Sequence, residues 1–218
     1  MFKTIIAAAV MAGGFIFGSA ASASMIDFDF YRVTGNSTID GSGQLQAVAT
    51  NTTGGVLIDF TVLAGTQSNA TIKEIYFSDM GGLFTPPPEI ITQTGVSFVA
   101  GTANPGELPG NGGATPTFNT TAMLLAQSTQ GQGGNANGIQ VGDLLTLKLN
   151  FTGTYDWADF ADDVMDGSFR IGLHVGSLDA GESDSFVSMP QVPLPAGGLL
   201  LLTALAGAGV VARRRKTA

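Results

Sequence analysis

The chain of 218 residues contains no cysteine, one histidine and one tryptophan. Without a thiol there is no disulfide, no thiolate metal site, no cysteine nucleophile and no lipid-bearing cysteine. The lone His174 excludes a two-histidine zinc site. It alternates with Leu173 and Val175, which predicts a residue facing out of a strand or packed at a sheet edge. For catalysis it would need a serine or carboxylate brought from elsewhere, and no G-x-S-x-G elbow occurs. The glycine-rich stretches lack the lysine of a phosphate-binding loop. Basic residues are scarce in the middle of the chain. Only Arg32, Lys73, Lys148 and Arg170 oppose the 17 acidic residues there, a net charge of −13. Such a domain is a poor partner for nucleic acid and attracts divalent cations. Charged residues make up only 12% of the chain, so the surface is mostly Gly, Thr, Ser, Asn and Gln.

What is present is concentrated first at the two ends. Met1-Phe2-Lys3 carries one positive charge, residues 4–17 are apolar, and Ala21-Ser22-Ala23 offers small residues at a cleavage position. This is a secretory signal peptide over residues 1–23, and without a twin arginine it favours the general secretory route. At the other end, residues 196–212 carry no charge and one hydroxyl, Thr203. As a helix they span roughly 25 Å, enough to insert with snorkelling of flanking side chains. Arg213, Arg214, Arg215 and Lys216 follow at once and mark the cytoplasmic side. Residues 190–195, with three prolines, form a linker.

The sequence Val192-Pro193-Leu194-Pro195-Ala196, then the apolar run, then the basic end resembles the VPLPA-CTERM variant of the PEP-CTERM bacterial sorting signals. The resemblance covers residues 192–218. It implies recognition by an exosortase, a membrane-embedded processing enzyme of Gram-negative bacteria that make exopolysaccharide. It further implies transient anchoring in the inner membrane, then delivery to the cell surface or matrix.

Residues 24–189 read as one domain, long enough to bury about 70% of its unfolded surface without staples. Period-two alternation predicts strands over 25–33, 44–50, 56–63, 70–78, 96–100, 144–151, 169–175 and 185–189. The phase slips between Lys73 and Ile75, the mark of a bulge. Residues 79–89, with Pro86-Pro87-Pro88, read as a long loop, and 101–116 as a Gly/Pro/Asn stretch with almost no core residue. Residues 117–126 read as strand in their first half. Trp157, Phe160, Ala161 and Val164 fall at helical spacing, with Gly167 as a stop. The pattern predicts an all-β, antiparallel, jelly-roll-like sandwich with one short helix. Residues 169–175 and 183–187 are also similar to the closing strands of a sandwich domain found in front of such tails.

Candidate chemistry is sparse. On a helix Asp159, Asp163 and Asp166 share one face, a possible calcium site, although the spacing is not that of an EF-hand. The plainer reading is a solvated acidic face over Trp157 and Phe160. A carboxylate pair could hydrolyse a glycoside, but sequence shows no separation and no motif supports an enzyme. Tyr31, Tyr76, Tyr155 and Trp157 are the platforms a carbohydrate-binding module of an exopolysaccharide matrix would use, yet 14 aromatics are Phe, which marks core. Five N-x-S/T triplets, starting at Asn36, Asn51, Asn69, Asn119 and Asn150, read as turn composition. The leading expectation is a non-enzymatic exported surface or matrix protein without a resident cofactor, processed by an exosortase.

Overall fold

The computed structural model describes residues 25–65, 70–100, 106–121, 125–128, 137–178 and 181–190. The signal peptide and residues 191–218 of the linker and tail lie outside them. The described residues form eleven strands and one α-helix. The strands are β1 (Met25–Phe28), β2 (Phe30–Arg32), β3 (Leu45–Thr52), β4 (Gly55–Val62), β5 (Thr71–Asp79), β6 (Phe84–Thr94), β7 (Phe98–Ala100), β8 (Leu125–Ser128), β9 (Leu144–Phe151), β10 (Phe169–Gly176) and β11 (Asp184–Ser188). Helix α1 (Trp157–Asp166) lies between β9 and β10.

Two antiparallel sheets result. One has the order β1-β3-β4-β9-β6, the other β2-β11-β10-β5-β8-β7. Alternation dictates which face each strand buries. Ala47, Ala49, Val56, Ile58, Phe60, Leu145, Leu147 and Leu149 point inward from the first sheet. Ile75, Phe77, Ile171, Leu173 and Phe186 do so from the second, in the same core. Each such large apolar side chain contributes about 1.5–3 kcal/mol on burial. The β3–β4 hairpin turns at Thr53-Gly54, where Gly54 takes a φ of 71° that side chains rarely adopt. The later strands nest: β5 pairs with β10, β6 with β9, and β7 with β8.

The run expected as one strand over 25–33 is two. β1 pairs with β3 in one sheet and β2 with β11 in the other, so the chain crosses between sheets at Asp29. Crossings of this kind make the corners of sandwiches. The loop expected over 79–89 is overturned in its second half by β6. Its prolines are compatible with a strand because β6 is the edge of its sheet, and register shifts between Thr85 and Glu89 carry the chain past them. Asp79 forms the preceding turn, its carboxylate accepting the backbone N–H of Leu83 at 3.0 Å and of Phe84 at 3.1 Å. The strand expected early in 117–126 is instead irregular through Thr121, and β8 begins at Leu125. The bulge expected near Lys73 is present: His174 pairs with Glu74 and Val175 with Ile72, leaving Lys73 as the extra residue.

Residues 106–121 also depart from expectation. Leu108, Ala114 and Phe118 are buried, and with Tyr76 and Val187 they form a second, smaller core. This segment lies over the outer face of the six-stranded sheet. A Cβ on Gly172 would come within 3.0 Å of both Leu108 and Phe118, so only glycine lets the cover sit this close.

Helix α1 forms as its spacing predicts. Asp156 is the N-cap, its carboxylate accepting the N–H of Ala158 at 2.8 Å and of Asp159 at 3.4 Å. The Asp159 carboxylate returns the favour to the Asp156 N–H at 2.9 Å, completing a capping box. Gly167, at φ 82°, ends the helix. Phe160 meets Phe84 of one sheet at 5.7 Å and Phe169 of the other at 5.1 Å between ring centroids, so the helix plugs one end of the sandwich. Among the described residues no helix is long and apolar enough to cross a membrane.

Candidate functional site

The residues predicted to carry the sorting signal, Val192, Pro193, Leu194, Pro195 and Ala196 with Arg213, Arg214, Arg215 and Lys216, lie outside the described residues. The last described residues lie beside the end of α1. Met189 donates its backbone N–H to the Asp29 carbonyl at 2.8 Å, and Pro190 packs against Gly167.

The three aspartates read as calcium ligands are on α1 as expected, but two have local tasks. Asp159 closes the capping box, and the Asp166 carboxylate accepts the Ser168 N–H at 2.8 Å. Asp163 differs. Its Oδ2 is shielded from solvent, has no hydrogen-bond partner and presses on Gly81. Burial, followed by the charges of Asp166, Asp79, Asp159 and Asp162, pushes its carboxyl above the usual range. Among the described residues, no group of three or more histidines and carboxylates has the geometry to hold a metal ion.

His174 faces outward from a central strand of the six-stranded sheet, not from an edge. Its Nδ1 lies 3.2 Å from Glu74 Oε2, and the Tyr76 hydroxyl donates to the same oxygen. The hydrogen bond from His174 holds the Glu74 carboxyl below its ordinary range against the opposing effect of burial. Burial, reinforced by the bond to Glu74, pushes the Tyr76 phenol upward. Ser185 sits opposite His174 on β11, so serine, histidine and carboxylate form a row across three strands. The partners are 11 and 100 residues away in sequence, and only the strand register reveals them. Ser185 Oγ is nevertheless buried and makes no hydrogen bond to the histidine, so it is not an activated nucleophile.

Arg170 is the largest fully buried side chain outside the main core. Its guanidinium donates to the carbonyls of Pro116 at 2.8 Å and Thr117 at 2.7 Å, and lies 5.4 Å from the Phe118 ring centroid. Burial lowers its basicity, offset in part by the nearby Tyr31 phenol. The arginine therefore clamps the covering segment 106–121 onto the sheet.

A second clasp joins distant segments. The Asp184 carboxylate accepts from the Thr34 hydroxyl and the Asn36 N–H, both at 2.8 Å, and from the Ser37 N–H at 3.1 Å, with Arg32 at 3.5 Å.

Of the four aromatic platforms expected from sequence, the structure leaves one open. Tyr76 is buried, Tyr31 is half-buried with its hydroxyl accepting the Thr115 N–H, and Trp157 is 8% exposed. Tyr155 is 43% exposed. Two surface depressions stand out among the described residues. One, of about 380 Å³, is lined by Asp27, Asp29, Leu45, Leu63 and Met189. The other, of about 420 Å³, lies between the β3–β4 turn and the start of α1.

Compared with protein families, with curated proteins and with solved structures, the chain matches none of them.

Proposed function

We propose that this is an exported, non-enzymatic cell-surface or matrix protein, delivered as the substrate of an exosortase-type system. The observation that carries the reading is the sequence of features in the tail: Val192 to Ala196 as recognition motif, residues 196–212 as membrane segment, and Arg213 to Lys216 as cytoplasmic stop. The apolar leader at the other end of the chain supports export. The nested pairing of β5–β10, β6–β9 and β7–β8 supports a jelly-roll-like reading of the sandwich. A non-enzymatic role is supported by the state of the chemically suggestive groups: Ser185 Oγ is buried and unactivated, and Arg170 is engaged by backbone carbonyls.

The test is deletion of residues 192–218. The truncated protein is expected in the periplasm or medium, while the full chain is retained at the membrane and then processed in cells with an exosortase. Identical fractionation of the two would refute the reading.

A further inference from the structure

The depression of about 420 Å³ at one end of the sandwich combines three features. Its walls are fixed. Thr52 and Gly54 belong to the β3–β4 hairpin, Phe151 ends β9, and Asp156 and Trp157 begin α1. The Phe151 N–H donates to the Gly54 carbonyl at 2.9 Å, which ties the hairpin tip to the end of β9. The capping box immobilises Asp156, and Trp157 packs at 5.4 Å on Phe160. A preformed concavity of this size lies within the range of small-ligand sites.

Its lining is amphipathic in a particular way. Two aromatic residues line it, Tyr155, which is 43% exposed, and Trp157, which is largely buried. Asn51 and Thr52 supply an amide and a hydroxyl, and Asp156 a carboxylate. An aromatic face flanked by amide, hydroxyl and carboxylate groups suits a pyranose: its C–H face packs on the ring, and its hydroxyls take the polar groups. The charge pattern narrows the class. Among the described residues no Lys or Arg lines the depression, Asp156 is at its wall, and the surrounding domain is strongly acidic. A uronate or phosphorylated sugar would meet repulsion without a compensating cation.

We propose that this depression is a binding site for a neutral saccharide, with Tyr155 as the stacking platform and Asn51 and Asp156 as hydroxyl partners. The site does not depend on the tail, so failure of either proposal leaves the other standing.

The chain carries its own probe. Trp157 is the sole tryptophan, so emission excited at wavelengths where tyrosine does not absorb reports on a residue that lines this depression. The experiment titrates the full chain, kept in a detergent without a sugar headgroup, with a panel of neutral gluco-, galacto- and manno-oligosaccharides and with oligogalacturonate. The expected result is a saturable emission change with at least one neutral oligosaccharide and none with the uronate. Tyr155→Ala is expected to weaken binding about tenfold, while Tyr155→Phe, which keeps the ring, stays within about threefold. Tyr155 is exposed, so neither substitution removes core, and circular dichroism checks that both fold. No saturable response across the neutral panel would overturn the proposal. So would equal binding by Tyr155→Ala, or tighter binding of the uronate.

Discussion

Replacing Arg170 with methionine isolates the clamp that holds segment 106–121 on the sheet. Two opposing effects set its size. The guanidinium makes two charge-assisted hydrogen bonds, to Pro116 and Thr117 carbonyls, each worth about 1.5–3 kcal/mol. These figures are already net of desolvating the guanidinium, and Arg170 makes no ion pair among the described residues that would add to them. Pro116 and Thr117 are themselves exposed, so their freed carbonyls can turn to water. Methionine retains most of the apolar stem. The net cost is about 2 kcal/mol, and it falls on the cover more than on the sandwich, because the main core is untouched. The assay is amide hydrogen exchange. The Thr121 N–H, bonded to the Phe77 carbonyl at 3.1 Å, and the Ala114 N–H, bonded to the Asn111 carbonyl at 3.1 Å, report on the cover. A loss of ~2 kcal/mol speeds their exchange about 30-fold, while amides of β4 and β9 stay as they were. Arg170→Lys keeps the charge but loses the planar fork, and should open the cover too. Unchanged protection at Thr121 in Arg170→Met would refute the clamp. The cover would then be held by its apolar residues Leu108, Ala114 and Phe118 and by the hydrogen bonds of Thr115 and Thr121.

Two further outcomes follow from the helix. Asp156→Ala removes an N-cap and half of a capping box, and should lower stability by about 1 kcal/mol, read as a shift in the urea midpoint. Asp163→Asn should raise the melting temperature at pH 7. The Asp163 carboxyl is raised in the folded state, chiefly by burial, so its ionisation opposes folding above the unfolded value near 3.8. The advantage of the asparagine should therefore vanish as the pH falls below that value, and an advantage independent of pH would contradict the electrostatic account.

The strands with clean alternation were legible because each buries one face. β4 alternates from Val56 onward and β9 buries Leu145, Leu147 and Leu149, and the bulge at Lys73 announced itself as a phase slip. Helix α1 was legible for the complementary reason: its apolar residues recur at helical spacing between a capping aspartate and a stopping glycine. β6 was hidden because three prolines outweighed Phe84, Ile90 and Ile91 in the reading; a strand interior cannot hold them, but an edge can. Whether a strand lies at an edge is a property of the whole sheet. The second core was hidden for a related reason. Leu108, Ala114 and Phe118 are isolated apolar residues in a Gly/Pro-rich stretch, and nothing local shows that they converge on Tyr76 and Val187. The row of Ser185, His174 and Glu74 likewise exists only through register.

The acidity of the chain acquires a different meaning in the structure. As composition it pointed toward cations, yet thirteen of the 17 acidic residues are Asp, the shorter side chain. Asp reaches back to nearby backbone N–H groups where Glu does not. Asp40, Asp79, Asp143, Asp156, Asp159 and Asp166 each accept a backbone N–H within five residues, and Asp184 does so across the fold. Each bond closes a turn or caps a helix that a cysteine-free chain cannot staple. Asp163 stands apart from this pattern, since its buried oxygen has no donor and its charge is disfavoured. Asp156, Asp159 and Asp166 follow from the demands of caps and turns, so their number is no argument for a metal. Asp163, with its buried and unpartnered oxygen, asks for an explanation beyond loop closure.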